Sequence, residues 1–104
     1  MSVHFFVRLE PRPGREQDFR SELLQVVPPT RAETGCLAIH VFESLSAPAV
    51  FAIHSEWVDE AAFERHAQQP HTVHFIQAAG ELLSHGVQGL RSRWIAGGSG
   101  AGAC

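Results

Sequence analysis

Apolar and polar residues alternate from Val3 to Leu9. Val3, Phe5, Val7 and Leu9 fall on one side, and His4, Phe6 and Arg8 on the other. A period of two marks a strand with one buried face. Pro11, Pro13 and Gly14 end it. Over 15–27 the spacing changes, and Phe19, Leu23, Val26 and Val27 recur at helical intervals among charges. This predicts an amphipathic helix that Pro28 and Pro29 stop. Thr30 and Glu33 then have the spacing of a capping box, so a short further turn is expected before Gly35.

Alternation returns over 36–43, where Leu37, Ile39 and Val41 oppose Ala38, His40 and Phe42. It returns again over 49–57, where Phe51, Ile53, Ser55 and Trp57 oppose Ala52, His54 and Glu56. The short connection between these strands favours an antiparallel hairpin. Asp59 is placed to N-cap a helix carrying Ala62, Phe63, His66 and Ala67 on one side. Pro70 suits the first turn of the next helix, whose stripe is Phe75, Ala79 and Leu82 with His71 extending it. Gly86 is a credible stop, and 87–95 is a final strand.

Strand, helix, strand, strand, helix pair, strand is the order of an α+β, ferredoxin-like split βαβ fold. Its four-stranded antiparallel sheet carries helices on one face. The helix-covered face is expected to hold Val3, Phe5, Val7, Leu37, Ile39, Val41, Phe51, Ile53 and Trp57. The open face would then show Phe6 and Phe42 among His4, Arg8, His40, His54 and Glu56. Its apolar members are poorly suited to water, and a homodimer stacking two open faces accounts for them.

Composition narrows the options. The chain has 104 residues, enough for one core, so a single domain is expected over 1–96, with 97–104 (GGSGAGAC) a flexible tail. The net charge of −3 provides no basic field for nucleic acid. Cys36 and Cys104 make neither a disulfide framework nor a cysteine-based zinc site. No apolar run reaches signal-peptide or transmembrane length, so neither membrane nor export is expected and a cytoplasmic location is the default. Tyrosine is absent, whereas histidine occurs seven times. With an unperturbed pKa of ~6.5, histidine is the natural proton carrier here.

The candidate chemistry lies in 56–75, EWVDEAAFERHAQQPHTVHF. A strand end and two helix ends bring one tryptophan and three histidines toward one pocket. Trp57 is a candidate wall whose indole N–H donates to a ligand oxygen, or simply a core tryptophan. His66 and His71 are the candidate bases, with a buried or helix-end structural histidine as the alternative for each. Ser55, Phe63, Phe75 and His74 complete the expected substrate-binding set. His66, His71 and His74 are also metal-ligand types. However, a helix break separates them and no carboxylate or cysteine has suitable spacing, so no metal is expected.

The runs TRAETGCLAIHVFES, FAIHSEW and DEAAFERHAQQPHTVHF resemble the antibiotic biosynthesis monooxygenase family, quinol-monooxygenase-like members of the dimeric α+β barrel superfamily. The resemblance spans about residues 3–95. Its most specific parts are the strand ending in Trp57, the DEAAF helix, His66, Pro70 with His71, and ETGCL before the second strand. It implies a dimer with an apolar pocket between sheet and helices. It also implies oxidation of a small quinol or polycyclic phenol by molecular oxygen, with no cofactor. An electron-rich ring, once deprotonated, passes one electron to triplet oxygen and recombines. The protein then needs a base, a dry pocket and a group to steady the anion. Isomerases and haem-degrading enzymes share the family. His74 lies near the axial position of the haem-degrading relatives, but residues 3–9 lack their first-strand asparagine. A non-enzymatic small-ligand-binding dimer is the remaining alternative. The chain departs from many relatives in having His40 for a tyrosine, and Ser55 for a glutamate that would partner a pocket histidine.

Overall fold

The computed structural model describes residues 2–102. Its elements run β1 (Val3–Leu9), α1 (Glu16–Arg31), β2 (Cys36–Glu43), β3 (Phe51–Trp57), α2 (Glu60–Ala67), α3 (Pro70–Leu82) and β4 (Gln88–Ser92). The strands form one sheet in the order β2-β3-β1-β4, each neighbouring pair antiparallel. This is the ferredoxin-like α+β fold that the hydrophobic pattern predicts. In register, Phe5 and Ile39 flank Ser55, Val7 and Val41 flank Ile53, and Leu9 faces Phe51, so one face across three strands is apolar except at Ser55.

Four details of the pattern are corrected. Pro28 and Pro29 lie inside α1 rather than ending it. The i→i−4 acceptors that they leave unpaired are the carbonyls of Leu24 and Gln25, both exposed residues, so the missing donors leave no buried group unmet. The helix therefore continues to Arg31, and Thr30 is a buried residue of its last turn, not the cap of a new one. In β2 the pairing slips between Cys36 and Ala38. Leu37 becomes the extra residue of the irregularity and is exposed, while Cys36 takes the inward place opposite Trp57. Leu37 is thus not part of the core face. The final strand is also shorter than 87–95, and α3 ends at Leu82, before Gly86.

The core forms two clusters. The larger joins α1 and α3 to the sheet through Leu9, Phe19, Leu23, Val26, Phe51, Phe75, Ala79, Leu82 and Leu83. The smaller lies under α2 and contains Phe5, Trp57 and Ala62, with Cys36 and Phe63 packed against it. The clusters do not merge, and a cavity occupies the gap. Residues after Ile95 form neither helix nor strand as far as Gly102, and Ala103 and Cys104, the end of the expected tail, lie outside the described residues.

Candidate active site

The cavity has a volume of about 330 Å³, at the small end of ligand sites. Members of both clusters line it: Phe5 and Phe63 on one side, Leu9, Val26 and Phe75 on the other, and Val7, Ile39 and Ile53 along the sheet. Phe5 and Phe63 stack with ring centroids 3.5 Å apart, and the Arg91 guanidinium lies over both rings at 5.4 and 5.5 Å. Arg91 is held there by Glu60 and Glu64 of α2, which ties β4 to α2 beside the cavity. The polar residues along it are Ser55, Thr30, Thr72, His66 and Arg91.

Local sequence explains how His66 and His71 come together. Asp59 caps α2 by accepting from the Ala62 N–H at 2.9 Å. Pro70 then opens α3, with Gln68 and Gln69 forming the break between the helices. The turn between His66 and His71 leaves their rings 6.1 Å apart. A third residue joins them. Glu33 Oε2 accepts from His66 Nδ1 at 2.6 Å and from His71 Nε2 at 2.7 Å. Glu33 is held in the α1–β2 turn, where Gly35 adopts φ +93°. A Cβ on Gly35 would lie 2.7 Å from the Ala62 Cβ, so only glycine lets this turn pack against α2.

The pairing fixes the histidine tautomers. A carboxylate only accepts, so the proton of neutral His66 resides on Nδ1 and that of His71 on Nε2. The Thr72 hydroxyl, 3.2 Å from His66 Nδ1, borders the same pair. The His66 ring lines the cavity, and its Nε2 makes no hydrogen bond among the described residues. Its lone pair is therefore available to a ligand. His71 and Glu33 stand behind His66 and do not line the cavity.

In the sequence Glu33 is marked only by its capping-box spacing from Thr30, and Ser55 stands where a carboxylate would partner a histidine. The structure supplies the carboxylate from 33 positions before His66. The one sequence signal at Glu33 is that it opens the ETGCL run. With Glu33 in place, the expectation that no carboxylate joins the histidines is overturned. Glu33, His66 and His71 offer three ligand-type atoms within 4.8 Å of one another. At 2.6 and 2.7 Å, however, Glu33 is at proton-sharing distance from both rings. A tetrahedral zinc ion would hold such atoms roughly 3.3–3.4 Å apart, from bonds of about 2.0–2.1 Å.

The remaining candidates are placed as follows. Phe63, Phe75 and Ser55 line the cavity. Trp57 is fully buried, and its ring lies 4.7 Å from that of His66. Its indole N–H, offered above to a ligand oxygen, instead donates to Ser55 Oγ at 3.0 Å. Ser55 thus serves the tryptophan, not the histidines. His74 is exposed, bonds to Glu22 at 3.2 Å and does not line the cavity. Thr30, Thr72 and Arg91 also line the cavity, and none is among the expected site residues. Thr30 Oγ1 is buried and has no hydrogen-bond partner among the described residues. Leaving such a group unpaired costs about 1–3 kcal/mol.

Known proteins share this architecture. Residues 2–78 match the family model described as antibiotic biosynthesis monooxygenase. YcnE of Bacillus subtilis (strain 168), which carries a provisional monooxygenase name, is 33% identical over 73 residues, covering 70% of this chain and 77% of its own length. Rv0793 of Mycobacterium tuberculosis, named in the same way, is 29% identical over 85 residues, covering 82% of this chain and 83% of its own. The solved structure of Rv0793 superposes with a TM-score of 0.87 over 95% of this chain and 100% of that one. PA3566 of Pseudomonas aeruginosa superposes with a TM-score of 0.85 at 27% identity, over 91% of this chain and 95% of its own. The family match spans most of the chain, including Glu33, Trp57, His66 and His71, and the chain belongs to the antibiotic biosynthesis monooxygenase family.

Proposed function

We propose that the protein is a cofactor-independent monooxygenase acting on a small quinol or polycyclic phenol, with His66 as the base. The observation that carries this is the orientation of His66. Nδ1 is tied to Glu33, and the free nitrogen belongs to a ring on the wall of an apolar cavity. His66 Nε2 takes the phenolic proton, and the phenolate passes one electron to oxygen. Superoxide and the ring radical recombine at a ring carbon, giving a peroxide. The peroxide loses water as that carbon becomes a carbonyl, so one oxygen atom enters the product and the other leaves with two substrate hydrogens. Glu33 steadies the imidazolium formed in the first step. The apolar walls strengthen these charge interactions by excluding water. His71 donates to the same Glu33 oxygen, Oε2, and helps to hold it in place.

The test is oxygen uptake by metal-free protein with a panel that includes 1-naphthol and 1,4-naphthohydroquinone. Catalysed uptake that falls in His66→Ala supports the reading. Full activity in that variant removes His66 as the base.

A second copy of the chain is the partner we propose for the open face. Phe6, Phe42, Leu90 and Trp94 are about half exposed or more, beside a row of histidines. A sheet face of this kind suits a two-fold stack. Among the described residues no helix is long and apolar enough to cross a membrane. Cys36 is a free thiol whose pKa is pushed up by burial, an inert form suited to the reducing cytoplasm, where we place the enzyme.

A further inference from the structure

We propose that Gly89 is the specificity-determining residue of the cavity mouth: it leaves a notch in β4 through which an uncharged, apolar substituent of the ligand ring reaches solvent. The inference rests on the cavity being the ligand site proposed above. The residues lining that cavity differ in exposure, and the exposed ones mark its mouth. They are Ala67 at the end of α2, Ile76 of α3, Val87 just before β4, and Gly89 and Arg91 within it. β4 is an edge strand, with β1 on one side only. Gly89 pairs with Val7 and Arg91 with Phe5, so both lie on the helix-covered face beside cavity-lining partners.

A glycine inside a strand usually marks a bulge, a backbone position that a side chain would forbid, or the close approach of a ligand. The first two do not hold at Gly89. The β1–β4 register runs without a slip from His4 with Ser92 to Arg8 with Gln88. Gly89 is not in the left-handed region, and a Cβ added to it would meet no atom within 4 Å among the described residues. The fold therefore loses packing and strand propensity at this position and gains nothing in return. The space over Gly89 belongs to the cavity mouth, where a ligand can use it.

The neighbours of the notch define what passes through it. Ile76 and Val87 are 51% and 45% exposed, an apolar rim that an apolar group would cover. Arg91, the cation at the mouth, is engaged by Glu60 at 3.2 Å and by Glu64 at 3.0 Å. One guanidinium between two carboxylates leaves the mouth negative, which disfavours an anionic substituent. The ligand class is thus an aromatic ring bearing an alkyl chain, with the ring inside and the chain across Gly89. Such a chain also closes the mouth against water, which favours charge interactions at His66.

The experiment is equilibrium dialysis under argon with phenol, 4-ethylphenol, 4-butylphenol and 4-hexylphenol. Each methylene taken from water should raise affinity by up to about fourfold, so wild type should bind 4-hexylphenol at least about tenfold more tightly than 4-ethylphenol. Gly89→Val fills the notch. It should bind phenol as wild type does and 4-hexylphenol at least about tenfold more weakly than wild type. It should melt no lower than wild type, since valine suits a strand better than glycine. Leu90→Ser alters the opposite face of the same strand and should keep the wild-type rise with chain length. The inference is overturned if wild type shows no rise, if no phenol binds, or if Gly89→Val keeps the rise. It is also overturned if Gly89→Val loses phenol equally or melts several degrees lower, the marks of a glycine that serves the cavity's shape or the fold. Loss of the rise in Leu90→Ser overturns it too, by placing the chain on the open face. Because no oxygen is present, the two proposals fail separately. Binding that rises with chain length, without catalysed oxygen uptake, refutes the oxygenase alone. An active Gly89→Val enzyme with an undiminished preference for long chains refutes the role of Gly89 alone.

Discussion

The sheet has histidines on both sides, and they are anchored in opposite ways. On the helix side, His66 and His71 share one carboxylate, Glu33, at 2.6 and 2.7 Å. On the open side, His4, His54 and His40 lean on one another. His4 Nδ1 and His54 Nε2 are 2.8 Å apart, and the rings of His54 stack with those of His4 and His40 at 5.1 and 6.1 Å. Glu56 reaches His4 only at 3.7 Å. A carboxylate tolerates and steadies an imidazolium, whereas a histidine neighbour disfavours one. The first arrangement suits proton transfer, and the second suits the proposed packing of this face against a second copy. Residue type is the same in both; the anchor sets the use.

The largest test of this contrast is His66→Ala. Removing the proposed base should lower kcat/KM about a hundredfold to ten-thousandfold. Added imidazole should restore part of the rate through the space left in the cavity. His4→Ala should leave the rate per folded molecule near that of wild type, and an equal loss there would erase the distinction between the two sides. Glu33→Gln is next. The amide still accepts a hydrogen bond but no longer balances an imidazolium, so kcat should fall about tenfold or more. Glu33 does not line the cavity, so KM should hardly move. A change in KM alone would mean that Glu33 shapes the cavity instead of orienting His66.

The way Glu33 reaches its histidines gives a stability test. Gly35 holds the turn in the left-handed region, and its Cα faces Ala62 at close range. Gly35→Ala adds a Cβ that neither the backbone nor α2 accommodates. The expected loss is about 1–3 kcal/mol, read as a lower melting temperature together with a lower kcat as Glu33 is displaced. Unchanged melting would show that the turn can relax away from α2.

These residues also show what was legible in the chain. Period-two runs at Val3–Leu9 and Phe51–Trp57 foretold strands, because a half-buried strand writes its two faces into adjacent residues. Asp59 and Pro70 foretold helix starts, because caps are local. His66, with Phe63, Phe75 and Ser55 on the cavity wall, was legible for the same reason, since each lies on the inward side of a regular element. Glu33 was not. It sits in a turn, where periodicity assigns no face, and its partners are 33 and 38 positions away. Thr30 was misread with it, because two prolines predicted a helix end that solvent-exposed carbonyls do not enforce. Leu37 failed because an irregularity in pairing shifts parity by one and leaves no mark in the alternation.

On the open side the expected effect is smaller and runs with pH. The His54 pKa is pushed below the usual histidine value, first by burial and then by His4 and His40, with Glu56 opposing. The unfolded chain therefore binds more protons at this site than the folded one as pH falls below ~6.5. Stability is full above that value and is lost as pH falls toward the lower folded pKa. Melting temperature should decline across this window, and the proposed dimer should loosen with it in sedimentation. His54→Gln keeps a polar side chain without the titration and should flatten the decline. An equally steep decline in that variant would move its origin to other groups.

The smallest expected effect belongs to the histidine with neither kind of anchor. The His74 side chain is 67% exposed, and its contact with Glu22 is a surface pair at 3.2 Å. Such pairs contribute about 0–1 kcal/mol. His74→Ala should therefore change stability by less than about 1 kcal/mol and leave kcat and KM unaltered. The variant separates the proposed base chemistry from any reading that needs His74 as a ligand to a metal or haem. Those readings predict loss of activity, whereas a base formed by Glu33 and His66 predicts none. A large loss in His74→Ala, with the fold intact, would mean that histidine anchoring is not what distinguishes the working side of the sheet.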